Sequence, residues 1–368
     1  MILGFPLPEL RDGLHDHARK LIEAGRTLKQ VKTHKVIKSV WKADPSRSPL
    51  ELYAFLLRMS QNWIARYPLF ETQGNFGSID GDPPTGMRYN EVWPSSWGLQ
   101  EGVFPQLLVN GGFAHSGAIE TDAPRSTEAD PEFMEPLVSY CPTGGLHGGV
   151  LRSFLPPHNL KEVAGSLLLL LENPDARLQD LIKVLRGPDF PTGGILMNPQ
   201  DLEGIYRTGE GTLVVRARTS IGKGSQGESR ITLHDVPYGT SKRDLLKGLT
   251  DMAKTNQGTR IADLLDLSTR EQVNIEIVLQ RDQPPRALID FLSRSQILEN
   301  RIEVWMHVAK DGKEMRISLL DLLRSHLTLA RRRAGSERRL RVELRSLAEQ
   351  SDARRTEIAG GGPVSARI

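Results

Sequence analysis

The chain has 368 residues, of which 38% are hydrophobic and 25% charged, with a formal net charge of +3. That is enough for two or three domains with cores of their own, it excludes disorder throughout, and it assigns any affinity for a polyanion to local clusters and not to the sum of charge. The single cysteine, Cys141, excludes an intramolecular disulfide framework and fits a reducing cytoplasm. No stretch approaches the ~18 apolar residues of a membrane span, and MILGFPLPELRDG is too short in its apolar run for a secretory signal, so a soluble cytoplasmic protein with no membrane partner is expected.

From Leu14 to about Trp63 the pattern is helical. In VKTHKVIKSVWK, 100° steps put Val36, Ile37, Val40 and Trp41 on one face and Lys35, Lys38 and Lys42 on the other. Eight Lys or Arg and one acid, Glu23, lie between Arg19 and Lys42, which fits either a polyanion partner or a solvated helix face. After ADPSRSP, the run LELYAFLLRMSQNWIARY resumes helical spacing, and the pair is compatible with a helix-turn-helix element. The stretch QGNFGSIDGDPPTGMRYNE, Gln73 to Glu91, is turn-rich yet delivers Arg88 and Tyr89 side by side. Its Asp80-Gly81-Asp82 invites a calcium-loop reading, but Pro84 and Thr85 stand where an oxygen ligand and a glycine are needed, so it reads as a turn and the chain is assigned no metal site.

Asn110 to Gly149 reads as an irregular surface insertion. A helix opens behind Pro156-Pro157 in LPPHNLKEVAGSLLLLLENP; TLVVRARTSI, SRITLHDVPY and VNIEIVLQR read as strands, and PPRALIDFLSRSQ as a helix, which together make an α+β module. From Ile317 one long helix is expected, with Leu340, Leu344 and Leu347 at seam spacing and the tail GGGPVSARI as flexible chain.

A tyrosine phenol has a free pKa of ~10 and is a poor nucleophile at neutral pH unless a cation or metal lowers that value or a base takes its proton. Arg88 is permanently charged and suited to neutralise the charge that develops when an oxygen attacks a phosphodiester. The pair therefore allows a covalent phosphotyrosyl intermediate. The bland alternative is a half-buried strand tyrosine with a surface arginine beside it.

The words RYPLFETQGNFGSIDGDPPTGMRYNE (Arg66 to Glu91) resemble the active-site region of the A subunit of bacterial type IIA DNA topoisomerases. LPELRDGL, FPQLLVNG, LPPHNLKEV, RGPDFPTGG, YRTGEGTLVVRAR and ITLHDVPYGTSKRDLL are similar to that family's other landmarks and stand in family order over nearly the whole chain. The resemblance implies a winged-helix DNA-binding domain over 1–155 with an insertion near 110–149, a tower-like α/β domain over 156–314, and a partial coiled-coil helix with a tail over 315–368. It also implies that Tyr89 attacks DNA to give a 5′-phosphotyrosyl bond, that Arg88 stabilises the transition state, and that Leu155 wedges into the bent duplex, packing beside Pro156 being the alternative. Expected partners are double-stranded DNA and a B-type subunit that carries Mg²⁺ and hydrolyses ATP, with the chain as a homodimer inside a heterotetramer on the nucleoid.

Departures accompany the matches. Where the family carries His-Pro-His-Gly before its recognition helix, this chain reads Pro45-Ser46-Arg47-Ser48; Phe5 replaces a basic residue, and His15-Asp16-His17-Ala18-Arg19-Lys20 replaces a more basic run. Arg19, Lys20, Lys35, Lys38, Lys42 and Arg47 are the residues expected to hold DNA phosphates. The family's distal dimerisation gate and wrapping domain have no counterpart before Ile368, so supercoiling by this polypeptide alone is not expected. Two functions stay open on these grounds: a DNA-breakage subunit, and a non-catalytic DNA-binding or regulatory paralogue.

Overall fold

The computed structural model describes residues 31–43, 49–68, 70–95, 132–133, 155–224, 227–255, 260–269, 272–281, 283–310 and 313–359. The first unit opens with strand β1 (Val31–Lys32), helices α1 (Thr33–Ala43) and α2 (Pro49–Ser60), then strands β2 (Phe70–Gln73) and β3 (Glu91–Pro94). Helix α1 forms as its pattern predicts, with Val36 and Ile37 buried and Lys35, Lys38 and Lys42 exposed. Trp41 departs from the expectation, since 40% of it stays in solvent. Helix α2 ends at Ser60, and Gln61 to Tyr67 turn back on themselves instead of prolonging it. The three strands form an antiparallel sheet in the order β1-β3-β2, with Gln73 opposite Glu91. Everything from Gly74 to Asn90 is thus the loop of one hairpin.

Of the expected insertion, only strand β4 (Glu132–Phe133) lies within the described residues. Helix α3 (Leu160–Glu172) starts at Asn159, whose side chain accepts hydrogen bonds from the backbone N–H groups of Lys161 and Glu162. Its buried Leu160, Val163, Ala164, Leu167, Leu170 and Leu171 follow the helical period. Helices α4 (Leu178–Val184) and α5 (Leu202–Thr208) follow, separated by strand β5 (Ile195–Leu196), and β6 (Glu210–Arg216) comes next. The run TLVVRARTSI is not one strand: the chain leaves β6 at Ala217 and enters a second sheet as β7 (Thr219–Lys223).

That sheet takes the order β7-β8-β10-β9, all antiparallel, with β8 (Ser229–Leu233), β9 (Ile261–Asp266) and β10 (Ile275–Leu279). Alternate residues of β10, Ile275, Ile277 and Leu279, are buried against helices α6 (Lys242–Thr255) and α7 (Pro285–Arg294). Strand β11 (Glu299–Trp305) then returns to pair with β6 over its whole length. Strands β12 (His307–Lys310) and β13 (Lys313–Arg316) form a hairpin to which β4 adds an edge.

The single long helix expected from Ile317 is two helices, α8 (Leu319–Ala334) and α9 (Glu337–Ala359). Gly335 takes a left-handed φ of 69°, which ends α8, and the Ser336 hydroxyl accepts from the Arg339 N–H to start α9. Leu340, Leu344 and Leu347 are buried as a seam, but the surface they meet includes α3 of the same chain.

Among the described residues two hydrophobic cores result. One spans Val36 to Leu347 and joins the first unit, helices α3, α4 and α5, strands β6 and β11, and helices α8 and α9. It runs across the boundary expected at residue 155. The other, Ile231 to Leu298, belongs to the four-stranded sheet with α6 and α7. Among the described residues no helix is long and apolar enough to cross a membrane.

Candidate active site

The hairpin loop is built around Asn90, a fully buried side chain at the entry to β3. Its Oδ1 accepts from the Asn75 N–H at 3.1 Å and the Thr85 hydroxyl at 2.9 Å. Its Nδ2 donates to the Tyr53 hydroxyl at 2.7 Å and to the carbonyls of Asn75 and Thr85 at 2.9 and 3.4 Å. Both amide ends are thereby satisfied, as burial requires. Tyr53, from α2, donates its own proton to the Thr85 carbonyl at 2.6 Å and so ties the helix to the same point. Burial raises the Tyr53 phenol above its ordinary pKa, against the lowering effect of Asn90, which keeps it a donor. Gly74 makes room for this arrangement: at its φ of 111° an added Cβ would stand 2.5 Å from Asn90 Oδ1.

Arg88 and Tyr89 lie on the turn just before Asn90, closed by the Tyr89 N–H on the Gly86 carbonyl at 3.0 Å. Tyr89 is 78% exposed and Arg88 is exposed beside it. Among the described residues neither side chain has a hydrogen-bond or ion-pair partner. The half-buried strand tyrosine does not occur; β3 begins two residues later. The turn is held from behind by α1, whose first N–H groups, on Thr33 and His34, donate to the carbonyls of Asn90 and Met87 at 3.0 and 3.1 Å. Helix N-termini carry such unpaired donors and a partial positive charge, so the phenol projects from a backbone fixed against the positive end of α1.

Lys35, Lys38 and Lys42 stand in solvent on that same helix. Arg19, Lys20 and Arg47 lie outside the described residues. Leu155 is 1% exposed and packs into the main core just before Pro156. An apolar side chain followed by Pro156 and the buried His158 gains more from that core than from water. Among the described residues no cluster of three or more His, Cys, Asp or Glu is arranged to hold a metal ion. Sequence reasoning passed over Asn90 and Tyr53. Asn90 had one visible signal, its place directly after the exposed pair.

The family profile of the DNA gyrase/topoisomerase IV A subunit matches residues 6–97 and 143–359. The chain belongs to this family. It is 30% identical over 332 residues to the DNA gyrase A subunit of Kosmotoga olearia, covering 86% of this chain and 39% of that one. It is also 30% identical over 350 residues to the DNA gyrase A subunit of Thermotoga maritima, covering 92% and 42%. The DNA topoisomerase 4 A subunit of Streptococcus pyogenes serotype M18 is 28% identical over 354 residues, covering 88% and 39%. The chain thus spans about two fifths of the length of these gyrase and topoisomerase proteins.

Proposed function

We propose that the chain is the DNA-breakage part of a type IIA topoisomerase, with Tyr89 as nucleophile and Arg88 as its electrostatic partner. The observation that carries this reading is the exposed, unpartnered Arg88–Tyr89 turn on a backbone locked by a buried asparagine. A solvent-facing tyrosine contributes little to folding, whereas the loop beneath it is heavily cross-braced, an arrangement suited to a reacting group.

The phenol oxygen of Tyr89 attacks the phosphorus of one phosphodiester. An O–P bond forms as the bond from phosphorus to the 3′ oxygen breaks; the phenol proton leaves to solvent and the 3′ oxygen takes one up. The products are a 5′-phosphotyrosyl ester and a free 3′-hydroxyl. The ester conserves the energy of the broken bond, so attack by the 3′-hydroxyl reseals the strand without ATP. Arg88 neutralises the charge that gathers on the phosphoryl oxygens. Lys35, Lys38 and Lys42 meet backbone phosphates and set the register of the duplex without reading its bases. Mg²⁺, held by a B-type partner, adds further charge neutralisation at the phosphate when bound, and that partner hydrolyses ATP. The α1–α2–hairpin unit serves as the winged helix, the four-stranded module as the tower, and two copies cut opposite strands within a heterotetramer on the nucleoid.

The test is a cleavage assay with supercoiled DNA, Mg²⁺ and a B-type subunit, stopped with detergent, for the wild type and Tyr89→Phe. Covalent protein on nicked or linear DNA is expected with the wild type and absent with Tyr89→Phe. Duplex binding without any adduct, beside a full-length gyrase A protein that does form one, overturns the reading and leaves the DNA-binding paralogue that the altered Pro45 to Ser48 segment favours.

A further inference from the structure

The loop that carries Arg88 and Tyr89 touches both cores. Phe76 is buried in the main core, and the Gln61 side-chain amide donates to its carbonyl at 2.7 Å. Three residues on, Ile79 packs against the core of the four-stranded module. Between Ser78 and Asp82 the chain makes a tight turn, with the Ser78 hydroxyl donating to the Asp82 carboxylate at 2.9 Å and the Gly81 N–H to the Ser78 carbonyl at 3.0 Å. This turn lies on the N-terminus of α6. The Ile79 carbonyl accepts the N–H of Lys242, the first residue of α6, at 2.9 Å. Gly81 passes so close that an added Cβ would stand 3.2 Å from Arg243 Cβ.

Charge reinforces the contact. The Lys242 ammonium, on a side chain only 10% exposed, lies 2.6 Å from Asp80 of the loop and 3.0 Å from Asp266 at the end of β9. Arg243 reaches Asp82 at 3.2 Å, but both partners are more than half exposed, so that pair is screened and weak. Lys242 is therefore the main electrostatic contact between the loop apex and the module. The active-site loop thus supplies carbonyls to the N-termini of two helices, α1 through Met87 and Asn90 and α6 through Ile79.

We infer that Asp80 and Lys242 are positioning residues, which clamp the apex of the catalytic loop to the four-stranded module so that the placement of that module sets the aim of Arg88 and Tyr89. The inference rests on the proposed role of Tyr89. The stiffness needed to pass the constraint from Asp80 to Tyr89 is present: Pro83 and Pro84 fix their own φ angles, and the Thr85 N–H and hydroxyl are bound to the Asn75 carbonyl and the Asn90 side chain. A displacement of about 1 Å in a reacting group is enough to cost roughly 10²-fold in rate.

Asp80→Asn tests it, because it weakens the loop's hold while Lys242 keeps Asp266 and the module keeps its internal ion pair. Two readouts on the full chain are needed: amide hydrogen exchange over residues 75–90, and single-turnover formation of the covalent DNA adduct with a B-type subunit, together with duplex affinity at one fixed salt concentration. Exchange at Thr85 to Tyr89 is expected to rise about tenfold and adduct formation to fall about tenfold, with duplex affinity within twofold of wild type. Asp80→Glu is expected to restore most of the rate. Unchanged exchange overturns the clamp. Raised exchange with an unchanged cleavage rate overturns its positioning role, as does a loss of cleavage that merely tracks a loss of duplex affinity. Wild-type protein that forms no adduct strikes the reading of Tyr89 instead, and the exchange measurement still decides whether the clamp exists.

Discussion

At the scale of residues, the candidate site separates groups that fold the loop from groups that act from it. Asn90 is of the first kind. Asn90→Ala removes the partner of the Asn75 N–H, leaves the buried Tyr53 hydroxyl and the part-buried Asn75 carbonyl with fewer bonds, and opens a space at a fully buried side chain, so a loss of about 2–4 kcal/mol in urea unfolding is expected. Gly74→Ala has no comfortable conformation, since its φ is left-handed and its Cβ meets Asn90 Oδ1, and a loss of similar size is expected in the same measurement. Under the proposed function Tyr89 is of the second kind. Tyr89→Phe should leave the unfolding free energy within ~0.5 kcal/mol of wild type while abolishing the covalent adduct, because the hydroxyl it removes makes no bond among the described residues. Arg88 and Tyr89 were legible in the sequence through their words. The role of Asn90 was not, because it rests on hydrogen bonds to Tyr53, Asn75 and Thr85 that no spacing along the chain announces.

Among elements, periodicity predicted what depends on a single face. Helix α1, helix α3 and strand β10 bury the residues their patterns assign. It failed where backbone conformation decides. The helical pattern continues past Gly335, yet the left-handed glycine ends one helix there, and the seam of Leu340, Leu344 and Leu347 in the next helix closes on α3. Leu344→Ala is accordingly expected to lower the stability of the isolated chain by about 2–5 kcal/mol, a value that a seam reserved for a second copy would not give. The Lys242–Asp266 pair inside the four-stranded module has a pH signature of its own. For Lys242, desolvation lowers the pKa, but hydrogen bonds to Asp80 and Asp266 outweigh it and the net shift is upward. For Asp266, desolvation raises the pKa, and Ser268 and Lys242 reverse that to a net lowering. The pair's contribution is therefore complete between the free carboxylate and free lysine values, about 3.9 and 10.4. It is lost as pH falls through the lowered Asp266 value and as pH rises through the raised Lys242 value. The stability difference between wild type and Lys242→Met is expected to be flat from about pH 5 to 9 and to shrink at both ends.

For the whole molecule, net charge says little and placement says much. With +3 over 368 residues, any DNA affinity has to come from surfaces such as the basic side of α1. Replacing Lys35, Lys38 and Lys42 together with alanine is expected to flatten the log–log dependence of duplex affinity on salt by about 2–3, with little change in sequence preference. The sharing of cores bears on synthesis as well. The Tyr67 hydroxyl accepts the Leu160 N–H and lies 3.2 Å from the Ser351 hydroxyl, 284 residues further along the chain. At ribosomal rates of ~5–20 residues per second, a newly made helix-and-hairpin unit waits roughly 15–60 s for that last partner to be made. The tyrosine that would cut DNA is translated long before the core beneath it is closed, so the nascent chain holds that side chain on an unfinished support.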